Sequence, residues 1–180
     1  MLRDYIGVWP RLGADVYIDE SALVIGDVTI GAGSSVWMQT VVRGDVNTIR
    51  IGARTNIQDL CVAHVTYQKF PLTIGDGVSI AHQVVVHGCT IGDHVLIGIG
   101  ARVLDGACIE ADAIVGAGAL VPPGMRVPSG HLVLGLPARV ARPLSDAERD
   151  HIRELEARYV RVAQCYLEQA VRNAGDAAPR

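Results

Sequence analysis

Three of the six histidines of this 180-residue chain, His64, His82 and His87, lie close together in sequence. Neutral imidazole nitrogens are the commonest protein ligands of zinc and also bind other divalent transition metals. Three imidazoles that converge on one point would form a metal site. Whether these three converge depends on the structural elements that carry them.

The chain repeats with a period of six residues. Aliphatic residues recur at this spacing, with a slip after Val42, an interruption after Ala63 and a short step after Val86. The ladder comprises Ile18, Val24, Ile30, Val36, Val42, Ile51, Ile57, Ala63, Ile74, Ile80, Val86, Ile91, Ile97, Val103, Ile109, Val115, Val121 and Val127. A period of six is typical neither of an amphipathic helix nor of an alternating strand. Three hexapeptides make a triangular coil, and such coils stack as parallel strands about 4.8 Å apart. We therefore predict an all-β solenoid, a parallel β-helix.

Composition favours this fold and excludes several classes of function. Only 4% of the residues are aromatic and 20 are glycine, which suits a core built from small aliphatic side chains. The net charge is -3 and Lys69 is the single lysine, so no basic surface for nucleic acid or a membrane is expected. No segment resembles a secretory leader or a bilayer span, and the four cysteines occur singly, which predicts a cytoplasmic protein with reduced thiols.

The pattern changes near the C-terminus. The ladder ends at Val127, and Ser145 with Glu148 forms a capping box that predicts the start of a helix. We expect a β-helix domain with a short N-terminal segment over residues 1–143 and a helix packed on it over 144–172, ending at about residue 170. Residues 173–180 are predicted to be a frayed tail.

The repeat places two histidines together. His64 and His87 each follow a ladder position, and Ala63 to Ile74 is eleven residues rather than six. About five residues within 65–73 must therefore leave the coil, and without them His64 and His87 are 18 residues, or one coil, apart. Their rings should lie above one another on one outward face, close enough to share a metal with bonds of about 2.0–2.1 Å.

His82 falls on another side of the triangular coil, so it cannot easily join the other two within one chain. A neighbouring subunit could supply it, and cyclic arrangement of three subunits would give three identical sites at three interfaces. Three protein nitrogens with an open position are typical of a catalytic metal. The alternative is that all three are ordinary surface histidines.

At this point a family resemblance is visible. It is carried by Arg43-Gly44-Asp45, by Asn56-Ile57-Gln58-Asp59, by Ala81-His82 and by Val86-His87-Gly88-Cys89. These motifs resemble the gamma-class carbonic anhydrases, which are left-handed β-helix trimers of hexapeptide repeats. The resemblance implies that His64 and His87 of one subunit and His82 of the next bind zinc, with Fe(II) or Co also compatible.

The resemblance also implies roles for six further residues. Asn56 and Gln58 would orient the reacting water or bicarbonate, and Tyr159 is a candidate catalytic side chain whose alternative role is core packing. Arg43, Asp45 and Asp59 would form an interface charge cluster, and for the two aspartates a purely structural role is favoured.

The implied reaction is attack of a metal hydroxide on CO₂ to give bicarbonate. Two features depart from the family pattern. Val46 stands where a glutamate is expected, and the excursion 65–73 contains no carboxylate, whereas the family has a longer acidic loop. Loss of these proton-shuttle groups leaves metal binding possible but weighs against fast hydration, so activity is expected to be slow or absent.

Two other functions remain open on the same fold. One is an acyl-CoA thioesterase or acyltransferase, favoured by the apolar, acid-free excursion. The other is a non-catalytic assembly subunit in which the metal only ties three chains together.

Overall fold

The computed structural model describes residues 1–176, which form a parallel β-helix followed by one long helix, α1 (Asp146–Asp176). The strands are β1 (Leu2–Arg3), β2 (Arg11–Leu12), β3 (Tyr17–Ile18), β4 (Leu23–Ile30), β5 (Ser35–Val36), β6 (Val41–Ile51), β7 (Asn56–Ile57), β8 (Val62–His64), β9 (Leu72–Ile74), β10 (Ser79–Ile80), β11 (Val85–His87), β12 (Thr90–Ile91), β13 (Leu96–Ile97), β14 (Arg102–Val103), β15 (Cys108–Ile109), β16 (Ile114–Val115), β17 (Leu120–Val121), β18 (Arg126–Val127), β19 (His131–Gly135) and β20 (Ala138–Pro143). The predicted all-β solenoid with a C-terminal helix is confirmed.

The strands form three faces. The helix-covered face contains β3, β5, β7, β10, β13, β16 and β19, and α1 packs on it. The histidine face contains the first part of β4 and β6 followed by β8, β11, β14 and β17. The third face contains the second part of β4 and β6 followed by β9, β12, β15 and β18.

The six-residue ladder forms the core. All of its members are buried except Ile18, which is partly exposed in the first coils. Aliphatic side chains of one coil lie directly on those of the next, as in the pairs Ile57–Ile80 and Ile80–Ile97. The interior is therefore a continuous stack of apolar side chains. Because these residues must point inward, the residues next to them in each strand point outward.

The predicted excursion is present. Strand β8 ends at His64 and β9 begins at Leu72. The segment between them folds back on itself, with an antiparallel bridge between Thr66 and Phe70 and a 3.0 Å hydrogen bond from the Thr66 amide to the Phe70 carbonyl. The excursion is thus a small hairpin that stands on the histidine face.

The C-terminal part differs from expectation in two ways. Strand β19 continues the helix-covered face beyond Val127 and pairs with β20 in an antiparallel hairpin, so the solenoid does not end at Val127. Helix α1 runs to Asp176, so residues 173–176 are helical rather than frayed, and 177–180 lie outside the described residues. The sequence signals a helix start more clearly than its end, since the last turn has no basic residue and no glycine stop before Gly175.

The capping box starts the helix as predicted. The Ser145 hydroxyl accepts a hydrogen bond from the Glu148 amide at 3.3 Å, and the Glu148 carboxylate accepts one from the Ser145 amide at 2.9 Å. Ile152 and Ala163 are buried on the inner side of the helix. No helix within residues 1–176 is both long and apolar enough to cross a membrane.

Candidate metal centre

His64 and His87 lie side by side on the histidine face. Strands β8 and β11 pair in parallel with His64 directly opposite His87, which confirms the predicted one-coil separation. The ring centroids are 5.1 Å apart and the ring planes are inclined by 61°. The closest ring atoms are Nδ1 of His64 and Nε2 of His87, at 3.1 Å.

A carboxylate holds the other nitrogen of each ring. Nε2 of His64 is 3.0 Å from Oδ1 of Asp45, and Nδ1 of His87 is 2.6 Å from Oδ1 of Asp105. The Arg43 guanidinium donates to the second oxygen of Asp45. An ionised carboxylate can only accept hydrogen bonds, so in each neutral ring the proton lies on the nitrogen that faces the aspartate.

This arrangement leaves two lone pairs facing each other across 3.1 Å. Neither neutral ring can donate to the other, so the gap is a place for a cation. Two nitrogens bound to one tetrahedral zinc at about 2.0–2.1 Å would be about 3.3 Å apart, which is close to the separation found. The residues present therefore fit a divalent metal without a rearrangement of the backbone.

The electrostatics favour the required protonation states. Burial would raise the pKa of Asp45, but the hydrogen bonds from His64 and Arg43 outweigh it and hold that pKa below its ordinary value. Burial of the His64 ring lowers its pKa, and the hydrogen bond to Asp45 only partly opposes this. His64 is therefore neutral and Asp45 ionised near neutral pH, as metal binding requires.

His82 lies at the corner between the helix-covered face and the histidine face. Its Nδ1 is 2.9 Å from Oδ2 of Asp59, which leaves Nε2 as the nitrogen available to a metal. Over residues 1–176, no group of three or more histidine, cysteine, aspartate or glutamate side chains is arranged to hold a metal. The described chain thus brings two of the three predicted ligands together and leaves His82 apart.

Asn56 and Gln58 are buried at the helix-covered face. The Gln58 side-chain amide donates to Oδ1 of Asn56 at 3.0 Å, and the Asn56 amide donates to the Ser79 hydroxyl at 2.9 Å. Among the described residues neither side chain is hydrogen-bonded to His64 or His87. Their role toward a reacting water stays a prediction.

Tyr159 packs against Trp37 with the ring centroids 5.5 Å apart, edge to face. It lines a cavity of about 570 Å³ together with Trp37, Asp59 and Arg158. Burial raises the pKa of Tyr159, and the nearby charge of Asp59 acts in the same direction. The ring therefore serves packing and also faces the corner that carries Asp59, so its catalytic role remains a prediction.

Sequence reasoning missed Asp105. Its sequence signal is weak, because an aspartate before a glycine at a coil corner is also common as a turn residue. One hint was available, because Asp105 lies 18 residues, or one regular coil, after His87, although the five-residue step from Val86 to Ile91 moves it by one position.

The stacked hexapeptide coils define the class of protein: the family described as "Bacterial transferase hexapeptide (six repeats)" matches residues 88–123. A solved Bacillus cereus protein described as a putative acetyltransferase has a TM-score of 0.90 and 39% identity, covering 92% of this chain and 96% of that one. A solved hexapeptide transferase family protein from Anaplasma phagocytophilum has a TM-score of 0.89 and 36% identity. The match covers 92% of this chain and 98% of that one. The left-handed β-helix is thereby confirmed.

Curated relatives define the family more closely. The chain is 47% identical to a probable carbonic anhydrase of Methanocaldococcus jannaschii, over 85% of this chain and 96% of that protein. It is 46% identical to Protein YrdA of Escherichia coli, over 94% of this chain and 95% of that protein. Identity to the mitochondrial gamma carbonic anhydrase 2 of Arabidopsis thaliana is 43%, over 89% of this chain but 59% of that one. The chain belongs to the gamma carbonic anhydrase family.

Proposed function

We propose that this protein is a metal-dependent carbonic anhydrase that interconverts CO₂ and bicarbonate, with its sites between the subunits of a homotrimer. The observation that carries the proposal is the pair of facing nitrogens of His64 and His87, 3.1 Å apart and each backed by a carboxylate. Relatives named as carbonic anhydrases at 43–47% identity support the choice of reaction.

His64 and His87 would hold the metal together with His82 of a neighbouring subunit. Zinc is the expected metal, and Fe(II) or Co also suits imidazole ligands. Such a metal supplies Lewis acidity that generates a nucleophile from water near neutral pH. Asp45 and Asp59 keep their histidines in the tautomer that presents a lone pair to the metal.

The exposed surface around the histidines supports a trimer. Leu60, Val62 and Ile99 are 50%, 39% and 54% exposed, and they lie beside His64 or on the same corner as His82. Apolar side chains grouped around polar ligands are typical of a surface covered by a partner. A neighbour that covers them would also bring its own His82 to this face.

Proton release is the step for which this chain is least equipped. The excursion supplies no carboxylate, and burial keeps the Tyr159 pKa above its ordinary value, which makes it a poor acid near neutral pH. We expect hydration that is slow and that increases with the concentration of an external buffer such as imidazole.

Stopped-flow CO₂ hydration with zinc-loaded protein tests the proposal, alongside metal analysis and the mass of the particle. The expected result is one metal per chain in a three-chain particle, with hydration above that of a His87→Ala variant. Activity no higher than this control, at any buffer concentration, would overturn the catalytic proposal.

A second candidate is hydrolysis or transfer of an acyl group from a thioester. It is favoured by the likeness to the putative acetyltransferase of Bacillus cereus and by the 570 Å³ cavity, which is far larger than CO₂ requires. A panel of acyl-CoA compounds tests it, and absence of turnover would remove it. Dissociation of the trimer by a chelator, with no activity in either assay, would instead favour a purely structural metal.

A further inference from the structure

Asp105 lies 18 residues after His87, but the coil between them is one residue short. Val86 pairs with Val103, only 17 residues later, because the step from Val86 to Ile91 is one residue short. His87 therefore stands opposite Leu104, and Asp105 stands opposite Gly88. The carboxylate reaches His87 diagonally from the next coil, and Oδ1 lies 2.6 Å from the ring Nδ1.

Gly88 makes this approach possible. Its φ is +50°, which favours glycine, and a Cβ built on it would lie 2.5 Å from Oδ1 of Asp105. Any side chain at this position would push the carboxylate away from His87. The short step places Asp105 beside Gly88, and the absence of a side chain on Gly88 leaves the space that the carboxylate occupies.

The second oxygen of Asp105 is also held. The Thr66 hydroxyl donates to Oδ2 at 2.7 Å, and Thr66 belongs to the hairpin that follows His64. The Asn47 side-chain amide donates to the Thr66 carbonyl at 3.1 Å, which fixes the start of this hairpin. With both oxygens engaged, the carboxylate has one orientation, and that orientation points at the His87 ring.

We infer that Asp105 is a positioning residue of the metal site, and that Thr66 fixes Asp105 in turn. The inference rests on the proposed metal site. Asp105 holds the His87 proton on Nδ1 and fixes the ring plane, so that the Nε2 lone pair is aimed at the position shared with His64. Carboxylates in this position raise the basicity of the ligand and typically contribute 10- to 100-fold to metal affinity.

The experiment measures zinc affinity of the full-length trimer by competition with a chromophoric chelator. Asp105→Asn, which keeps the shape of the side chain, is expected to weaken binding about 10-fold, and Asp105→Ala up to about 100-fold. Thr66→Val should weaken it in the same direction by less, and Thr66→Ser should restore it. Asp112→Asn is the matched control: Asp112 also lies at a coil corner, but its carboxylate bonds to Arg153, so affinity should be unchanged.

Substitution with Co(II) supplies a second readout, since the visible spectrum reports ligand geometry. We expect the spectrum to change in the Asp105 variants and not in Asp112→Asn. Thermal unfolding of the metal-free variants identifies any that fail to fold, and Asp105→Asn is the variant least affected by that risk.

Zinc binding by both Asp105 variants within about twofold of the unaltered protein would overturn the inference and leave the proposed metal site intact. An equal loss of affinity in Asp112→Asn would also overturn it, since the effect would then be general to the coil corners. Absence of zinc binding by the unaltered protein would overturn the proposed function and the positioning role together.

Discussion

Removal of the metal offers a direct test of the facing nitrogens of His64 and His87. When both rings are neutral and their protons face the aspartates, neither ring can donate to the other, and the folded chain without metal holds two lone pairs 3.1 Å apart. Zinc should therefore bind the folded protein and not the unfolded chain, and so raise the free energy of unfolding of the protein. His87→Ala removes one nitrogen of the pair and should abolish this gain.

The size of the gain follows from linkage. At a free zinc concentration of 100 times Kd, binding to the folded state alone contributes about 2.7 kcal/mol. A change of 1 kcal/mol shifts Tm by about 2–4 °C in chains of 150–250 residues, so the expected shift is roughly 5–11 °C.

The assay is thermal unfolding of chelator-treated protein during a zinc titration. His151→Ala is the matched control, since His151 lies exposed on the helix, and it should retain the full shift. The reasoning is refuted if zinc leaves Tm unchanged, or if His87→Ala gains as much as the unaltered protein.

Three further predictions concern the fold. Ile80 is fully buried, so Ile80→Ala should destabilise the protein by about 2–5 kcal/mol in urea unfolding, and a loss below about 1 kcal/mol would contradict the stacked core. The Glu148 pKa is lowered from 4.5 to about 2 by its hydrogen bonds, chiefly from the Arg142 guanidinium. The contribution of the Glu148 carboxylate to the stability of the folded protein is therefore present above pH 4.5 and is lost as the pH falls toward 2. The difference in Tm between the unaltered protein and Glu148→Gln should therefore vanish over that range, and a difference independent of pH would refute it. Burial raises the pKa of Cys61 and Cys89 to about 12, so iodoacetamide at pH 8 should label exposed Cys165 and spare both, as mass spectrometry of the peptides will show.

The sequence was sufficient to predict the central geometry, because register in a β-helix is set by counting. The ladder places His64 opposite His87 once the five-residue excursion is removed, and the strands pair in this way. It also separates His82 from the other two. Such predictions succeed because the strands can pair in only one register that buries all the aliphatic residues of the ladder.

Other features depend on contacts that counting does not reveal. The approach of Asp105 to His87 is diagonal, and it requires a glycine at a neighbouring position and a hydroxyl from the excursion. The six-residue ladder in fact extends one step beyond Val127, since Val133 of β19 is buried and pairs with Val115. Only β20 escapes the ladder rule, because it runs antiparallel and is largely exposed. Which ring nitrogen of His64, His82 and His87 carries the proton likewise depends on the carboxylate that faces the ring. That carboxylate can be identified only from the three-dimensional structure.

The hairpin of β19 and β20 has a consequence for assembly. The last coil of a parallel β-helix exposes backbone amides and carbonyls that have no hydrogen-bond partner. Another strand can pair with them, so the repeat itself does not prevent further coils or chains from being added. Here β20 runs antiparallel across the last rung of the helix-covered face, and its outward side carries Arg139 and Arg142. A further parallel strand would meet a strand of the opposite direction at this edge, and Arg142 is already paired there with Glu148. The reversed strand therefore opposes growth of the protein into a fibre from this end.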